Sequence, residues 1–435
     1  MQTTSHIPLN DKRIINGWAM FDWANSSYAL VIAVAIFPGY FYNVVDESFT
    51  FLGIPMTNSA LFSYSLSFAY LLISLSLPLL SGVADYSGRK ILFMKIFTFI
   101  GGISCISLYA FEGMPTLMLG VIAFVLAVIG FAGGQVFYNS FLPLIASEDQ
   151  FDRVSAKGFS YGYIGSVLLL LVNLVMILKY EWFGLSSGDV AAQISFVMVG
   201  IWWIGFAQIS FNRLPKDSMK KMSKDILQRG YQEIAKVWGE VKKQRNIKRF
   251  LFSFFFYSAG VQTVLSLAST FATAELKFDS VELIILILIL QLLAIVGALI
   301  FSRLSERRGN KFSIITMLII WMSICVAAYF VHGKMAFYLI AVLVGMVMGG
   351  IQSLSRSTYS KLLPEDTQDT ASYFSFFDVL EKVAIVLGTF SFGFIDQFMG
   401  GMRNSILALI AFFVVGLVVF LTVEIMPAKK ANAVA

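Results

Sequence analysis

The chain has 435 residues, 58% of them hydrophobic and 13% charged, with a formal net charge of +6. Soluble globular proteins carry about 25% charged residues, so an ordinary water-soluble protein is excluded. Twelve membrane helices of about 20 apolar residues each would consume nearly the whole apolar supply and leave little for a separate soluble domain.

The polar stretch Met1 to Arg13 runs into an apolar segment with no small-residue cleavage site behind it, which reads as a retained first span rather than a signal peptide. Windows long enough to cross a bilayer lie at 16–43, 58–82, 91–111, 117–146, 158–179 and 190–211. A second set follows at 250–274, 282–303, 312–331, 336–360, 372–395 and 404–425. The expected organisation is therefore an N-terminal six-helix bundle over 1–212, a basic linker over 213–249 and a C-terminal six-helix bundle over 250–435.

The linker carries twelve basic and four acidic residues, and Met222, Ile226, Leu227, Tyr231, Ile234, Trp238 and Val241 recur in it at helical spacing. It reads as an amphipathic helix on the inner leaflet, with anionic lipid as partner, or as a plain solvated tether. Nucleic acid is not called for as a partner. With the N-terminus inside, twenty-six basic residues fall on the inner side and only Lys179, Lys277, Lys334 and Arg403 on the outer side. Basic loops stay cytoplasmic, so both termini are expected in the cytoplasm of an integral multi-pass protein of the cell (inner) membrane.

Cys105 and Cys325 lie 220 residues apart in apolar runs, which supplies neither a disulfide framework nor a thiolate metal site. His6 and His332 are both outside the spans, so proton chemistry falls on carboxylates, amines or guanidinium groups. There is no Gly-x-x-x-x-Gly-Lys-[Ser/Thr] nucleotide loop and no His-Glu-x-x-His site. No cofactor, no metal and no enzymatic activity are expected.

The loop Ser81-Gly82-Val83-Ala84-Asp85-Tyr86-Ser87-Gly88-Arg89-Lys90 returns 221 residues later as Ser302-Arg303-Leu304-Ser305-Glu306-Arg307-Arg308-Gly309-Asn310-Lys311. Leu142-Pro143 and Leu363-Pro364 stand at the same shift. Two six-helix pseudo-repeats of this kind place a substrate path near the midplane between them.

The first of these loops resembles the major facilitator superfamily signature Gly-x-Leu-Ala-Asp-Arg-x-Gly-Arg-Lys. It departs from it at Ser81 and Tyr86 but keeps Ala84, Asp85, Gly88, Arg89 and Lys90. Three further stretches resemble the autophagy-related vacuolar effluxer group and its bacterial relatives: Phe21-Asp22-Trp23-Ala24-Asn25-Ser26-Ser27-Tyr28, Phe137-Tyr138-Asn139 with Leu142-Pro143, and Gly349-Gly350-Ile351-Gln352-Ser353-Leu354-Ser355-Arg356-Ser357. The resemblance implies an all-α fold of twelve transmembrane helices, and amino acids as the substrate class, since fungal members are associated with amino-acid export from the vacuole. It also implies that Asp85, Gly88, Arg89 and Lys90, with Glu306 in the repeat, latch the ends of the two halves. Asp85 would then stand near the positive end of a neighbouring helix; the alternative is a tight turn whose Arg89 and Lys90 only orient the chain.

A charge at the centre of a lone membrane helix costs about 2.5–3.5 kcal/mol. Asp378, Glu381 and Lys382 fall within one turn, so they must face protein or water. The same i, i+3, i+4 spacing gathers Asp22, Asn25 and Ser26; Gln135, Tyr138 and Asn139; and Gln352, Ser355 and Arg356. These residues are candidates for substrate or proton contact, for an inner gate, or for helix-to-helix glue in which Asp378 and Lys382 simply pair. Arg356, with a fork suited to carboxylates, has Asp378, Asp22 or a substrate as candidate partner. Gly158, Gly162 and Gly165 mark a close helix crossing. The Pro of proton-coupled drug exporters is absent from this span.

The sequence thus points to a monomeric secondary transporter that moves a small polar solute by alternating access, as exporter or importer, with proton coupling or facilitated diffusion both open. A non-transporting membrane sensor or scaffold, and a drug or lipid exporter of the same fold, are the alternatives.

Overall fold

The computed structural model describes residues 8–51, 53–218, 225–365, 367–399 and 402–425. Met222 of the linker face, and Lys429 and Lys430 of the charge asymmetry, lie outside these residues. Among the described residues ten helices are long and apolar enough to cross a membrane: Lys12–Val44, Asn58–Ser87, Lys90–Ala110, Met114–Ile145, Glu148–Leu178, Gly188–Arg213, Val281–Arg308, Asn310–Phe330, Lys334–Leu362 and Met402–Leu421. Arg245–Leu276 is an eleventh if its bend is counted as one span. The expected twelfth, Thr370–Met399, is as long as the others but carries Asp378, Glu381 and Lys382 on one turn. Composition alone therefore does not mark it as a lipid-facing segment. In chain order these helices are called spans one to twelve, with Arg245–Leu276 as span seven and Thr370–Met399 as span eleven.

The strands among the described residues form one antiparallel hairpin between spans one and two, Ser48–Phe51 paired with Ile54–Thr57. Gly53, at φ 84°, supplies the left-handed turn position that the hairpin needs. Nothing in the sequence reading anticipated it.

By contacts the chain forms two compact units that do not follow chain order. One comprises Lys12–Tyr138 and Tyr161–Gly230; the other comprises Met1–Asp11, Asn139–Ser160 and Tyr231–Ala435. The hairpin that joins spans four and five is thus grouped with helices of the second half of the sequence.

In the first unit, Trp18 and Phe21 of span one stack on Tyr138 of span four, with ring centroids 4.4 and 5.1 Å apart. Span five approaches span one closely, because a Cβ on Gly165 would lie 2.7 Å from Trp23 O and one on Gly162 2.5 Å from Ser26 Oγ. This is the crossing that the glycine spacing predicted. The linker docks here too: Asp217 accepts the Ile91 and Leu92 N–H groups at 2.9 and 3.0 Å, capping the start of span three. Burial pushes the Asp217 carboxyl above its ordinary range, against the pull of those two N–H groups.

In the second unit, spans eight and ten meet backbone to backbone. A Cβ on Gly349 would overlap the Ala294 carbonyl, and one on Gly297 the Met346 carbonyl. An aromatic core of Phe250, Phe254, Tyr359 and Phe377 packs further along span ten, with Phe254 and Phe377 stacked at 4.0 Å.

The linker forms the helix Ile226–Lys243, as its periodicity predicts. Its apolar residues divide into two stripes rather than forming one face. Ile234, Val237 and Val241 are buried, whereas Leu227, Tyr231 and Trp238 are 61%, 67% and 45% exposed. Lys236 is held charged by Asp369 and Glu233, each 2.8 Å away.

Gly349→Val is expected to destabilise the protein by about 3 kcal/mol, because the Ala294 backbone cannot give way. Gly205→Ala, which meets nothing within 4 Å, should leave the melting temperature in detergent unchanged or slightly raised.

Candidate functional site

The polar faces read from the sequence separate into one cluster in each unit. In the first unit, Asp22 is buried and accepts a 2.6 Å hydrogen bond from the Tyr138 hydroxyl. Tyr138 is itself fixed by the Trp18 indole, which donates to its carbonyl at 2.9 Å and stacks on its ring. A carboxylate and a phenol are thereby locked together between spans one and four. Asn25, one turn along, is fully buried, and neither amide atom has a protein partner. Gln135 is half-buried on span four.

In the second unit the centre is Arg356, 2% exposed. Its Nε donates to Ser155 Oγ at 2.9 Å, Nη2 to the Ser155 carbonyl at 2.8 Å and Nη1 to Asn139 Oδ1 at 3.2 Å. The guanidinium also lies over the Phe159 ring, 4.2 Å from its centroid. All four of these contacts come from Asn139–Ser160, and the guanidinium also acts electrostatically on the Asp378 carboxyl. Ser155 Oγ in turn donates to the Ser353 carbonyl at 2.7 Å.

Asn139 also meets the buried Asp378. Lys382 lies 3.9 Å from Asp378 but 2.7 Å from Glu381, so its tighter partner is the adjacent carboxylate rather than the one a turn away. Gln262 of span seven reaches Glu381 at 3.3 Å, and Ser355 shares a 2.8 Å hydrogen bond with Tyr257. Gln352 is half-buried on the same helix.

A second network holds the same hairpin and was not legible in the sequence. The buried Asp152 takes Lys361 Nζ at 2.7 Å and Ser305 Oγ at 2.9 Å on one oxygen, and Asn310 Nδ2 at 2.8 Å on the other. Asn310 then accepts from Lys361 at 2.7 Å and donates to Thr358 at 2.9 Å. Asp152 stands beside Arg153 and Lys157 in the sequence and reads there as an ordinary loop charge. Ser305 and Asn310 stand in the repeated loop opposite Ala84 and Arg89, so the repeat did not single them out.

The two signature loops are not used alike. The Asp85 side chain is covered and pairs with Lys90 at 3.0 Å, and Gly88 takes φ 63° to end span two, with Arg89 following it. The carboxylate seated on the start of span three is Asp217. Glu306, the repeat's counterpart of Asp85, is exposed. Among the described residues no group of three or more His, Cys, Asp or Glu is placed to hold a metal ion.

Against known families, residues 10–433 match the profile described as "Vacuole effluxer Atg22 like". The chain belongs to this family. An uncharacterized MFS-type transporter of Bacillus subtilis, YxiO, is 29% identical over 406 residues, covering 93% of each chain. Autophagy-related protein 22 of Kluyveromyces lactis is 26% identical over 423 residues, covering 87% of this chain and 83% of that one. The major facilitator superfamily transporter FucP in its outward conformation superposes with a TM-score of 0.70 over 95% of this chain and all of that one, at 12% identity. The human organic anion transporter MFSD10 gives 0.71 at 10% identity, again over 95% of this chain and all of that one. These two share the fold, which is the all-α major facilitator fold. The family member described here is therefore an integral multi-pass membrane protein of a transporter superfamily.

Arg356→Ala should lower transport by at least about 100-fold, since it leaves buried acceptors on Asn139 and Ser155 without a donor. Exchanging Arg356 with Asp378 should restore nothing, because a carboxylate at position 356 would face the Ser155 carbonyl and Asn139 Oδ1. Initial uptake rates in proteoliposomes check both.

Proposed function

We propose that the protein is an alternating-access secondary transporter for a small polar solute of the amino-acid class, with Asn139–Ser160 as its gate. The observation that carries this reading is that a hairpin from the first sequence half is gripped by Arg356, Lys361, Asn310 and Ser305 of the second half. Every one of these bonds is a discrete polar contact that can be exchanged for water, as a gate requires. A merely structural hairpin would be held more cheaply by apolar packing. The family's description as vacuole effluxers supports a transporter, and the amino-acid class follows from the resemblance to the vacuolar effluxer group.

In this reading both termini and the gate face the cytoplasm of the cell membrane, as the basic residues direct. The exposed stripe Leu227, Tyr231 and Trp238 rests on the inner leaflet beside Lys242, whose ammonium lies 5.1 Å from the Trp238 ring. Asp22 and Asp378 are the buried carboxylates available to carry a coupled proton.

Counterflow of labelled amino acids in proteoliposomes tests the assignment. Saturable exchange is expected for at least one of them, and its absence across the full set would overturn the substrate class. Lys361→Ala leaves Asp152 buried without its cation, a loss of about 3–5 kcal/mol. Hydrogen exchange across 139–160 should accelerate at least about tenfold, while the Asp152→Leu, Lys361→Met double variant should recover part of the protection.

A further inference from the structure

Asn25 departs from Asp22, its neighbour one turn earlier on span one, and it shares the want of a protein partner with the Trp23 indole N–H and the Tyr28 hydroxyl. It is 0% exposed, and neither Nδ2 nor Oδ1 has a protein partner, while Asp22 before it is bound by Tyr138. Tyr28, three residues on and on the same face, is also buried with its hydroxyl unpartnered. Buried polar groups are nearly always paired in native proteins, so two on one helix face call for a physical reason. Leucine has the same branched outline as asparagine and, though bulkier, would occupy such a site without the cost of stripping an amide of water.

The helix changes form at the same point. Tyr28–Ile36 is a π-helix of nine residues set within span one. Pro38 lies just beyond it, without an N–H to give to the Val34 carbonyl and with a ring that crowds it. Wider turns of this kind are rare and are frequent at functional sites. Rewinding by one residue would turn the preceding segment by about 100° and shift it by about 1.5 Å. That segment carries Asp22 and Asn25, and it rests on the bare backbone of Gly162 and Gly165, which place no side chain in its way.

We propose that Asn25 is a solute ligand held in reserve, turned out of the packing around span one into the transport path when Tyr28–Ile36 rewinds. Its amide offers both a donor and an acceptor, which suits a solute that carries both, such as a zwitterion. The inference rests on the transporter reading but is tested separately from it.

Asn25→Leu should raise the melting temperature by about 2–4 °C and cut counterflow at least tenfold, mainly through KM. A fall in melting temperature in both Asn25→Leu and the smaller Asn25→Ala would show Asn25 to be structural and overturn the proposal. In a Cys105→Ala, Cys325→Ala background, Asn25→Cys should react with a methanethiosulfonate reagent at least tenfold faster than Ala127→Cys, which replaces a fully buried residue of span four. Equal rates would overturn the rewinding, as would slower labelling when Pro38→Ala, which restores the missing N–H, is added. Wild-type protein without counterflow but with rapid labelling at position 25 would defeat the transporter reading and leave the helix switch standing.

Discussion

An ionised or amide side chain inside a membrane protein must find partners among its neighbours, because hydrocarbon supplies none and the charge alone costs several kcal/mol. That constraint organises the second unit. Arg356 is surrounded by Ser155, Asn139 and the Phe159 face; Asp152 is surrounded by Lys361, Ser305 and Asn310. Both arrangements saturate a buried charge, and both draw their partners from residues at least about 150 positions away in the chain. The hairpin Asn139–Ser160 owes its place to these two charges.

Saturated networks and unsaturated groups serve different purposes. A fully bonded cluster sets one geometry and releases it only when several bonds go together, which gives a gate two positions rather than a continuum. A buried group with no partner makes its host conformation less stable and so favours a change of state. Asn25 and Tyr28 are of the second kind, and they flank the start of the π-helical segment. Glycines allow both kinds of region to pack: Gly162 and Gly165 bring span five onto span one, and Gly297 and Gly349 bring spans eight and ten together.

The linker shows how periodicity can be right about an element and incomplete about its surroundings. Helical spacing in the sequence predicts the helix Ile226–Lys243, yet Ile234 and Val241 bury while Leu227, Tyr231 and Trp238 stay exposed. Hydropathy cannot distinguish a stripe that meets protein from one that meets another apolar medium. The same blindness hid Asp217, which reads as one of four acids in a basic stretch but caps the start of span three.

The sequence by itself determined the class of fold, the helices, the pseudo-repeat, the family and the short list of polar faces, because each follows from composition or from spacing along one chain. It also located Asp22, Asn25, Arg356 and Asp378, because a charge or amide within an apolar run is conspicuous. Partner choice was left to the tertiary structure. Lys382 bonds Glu381 more closely than Asp378, Arg356 gives three N–H groups to Ser155 and Asn139, and Glu306 stands in solvent while the Asp85 side chain is covered. The reason is geometric: spacing places a side chain on a face of its own helix, whereas its partner depends on the axial offset and rotation of a neighbouring helix. That offset is set by many packing contacts at once and is written in no single stretch of sequence.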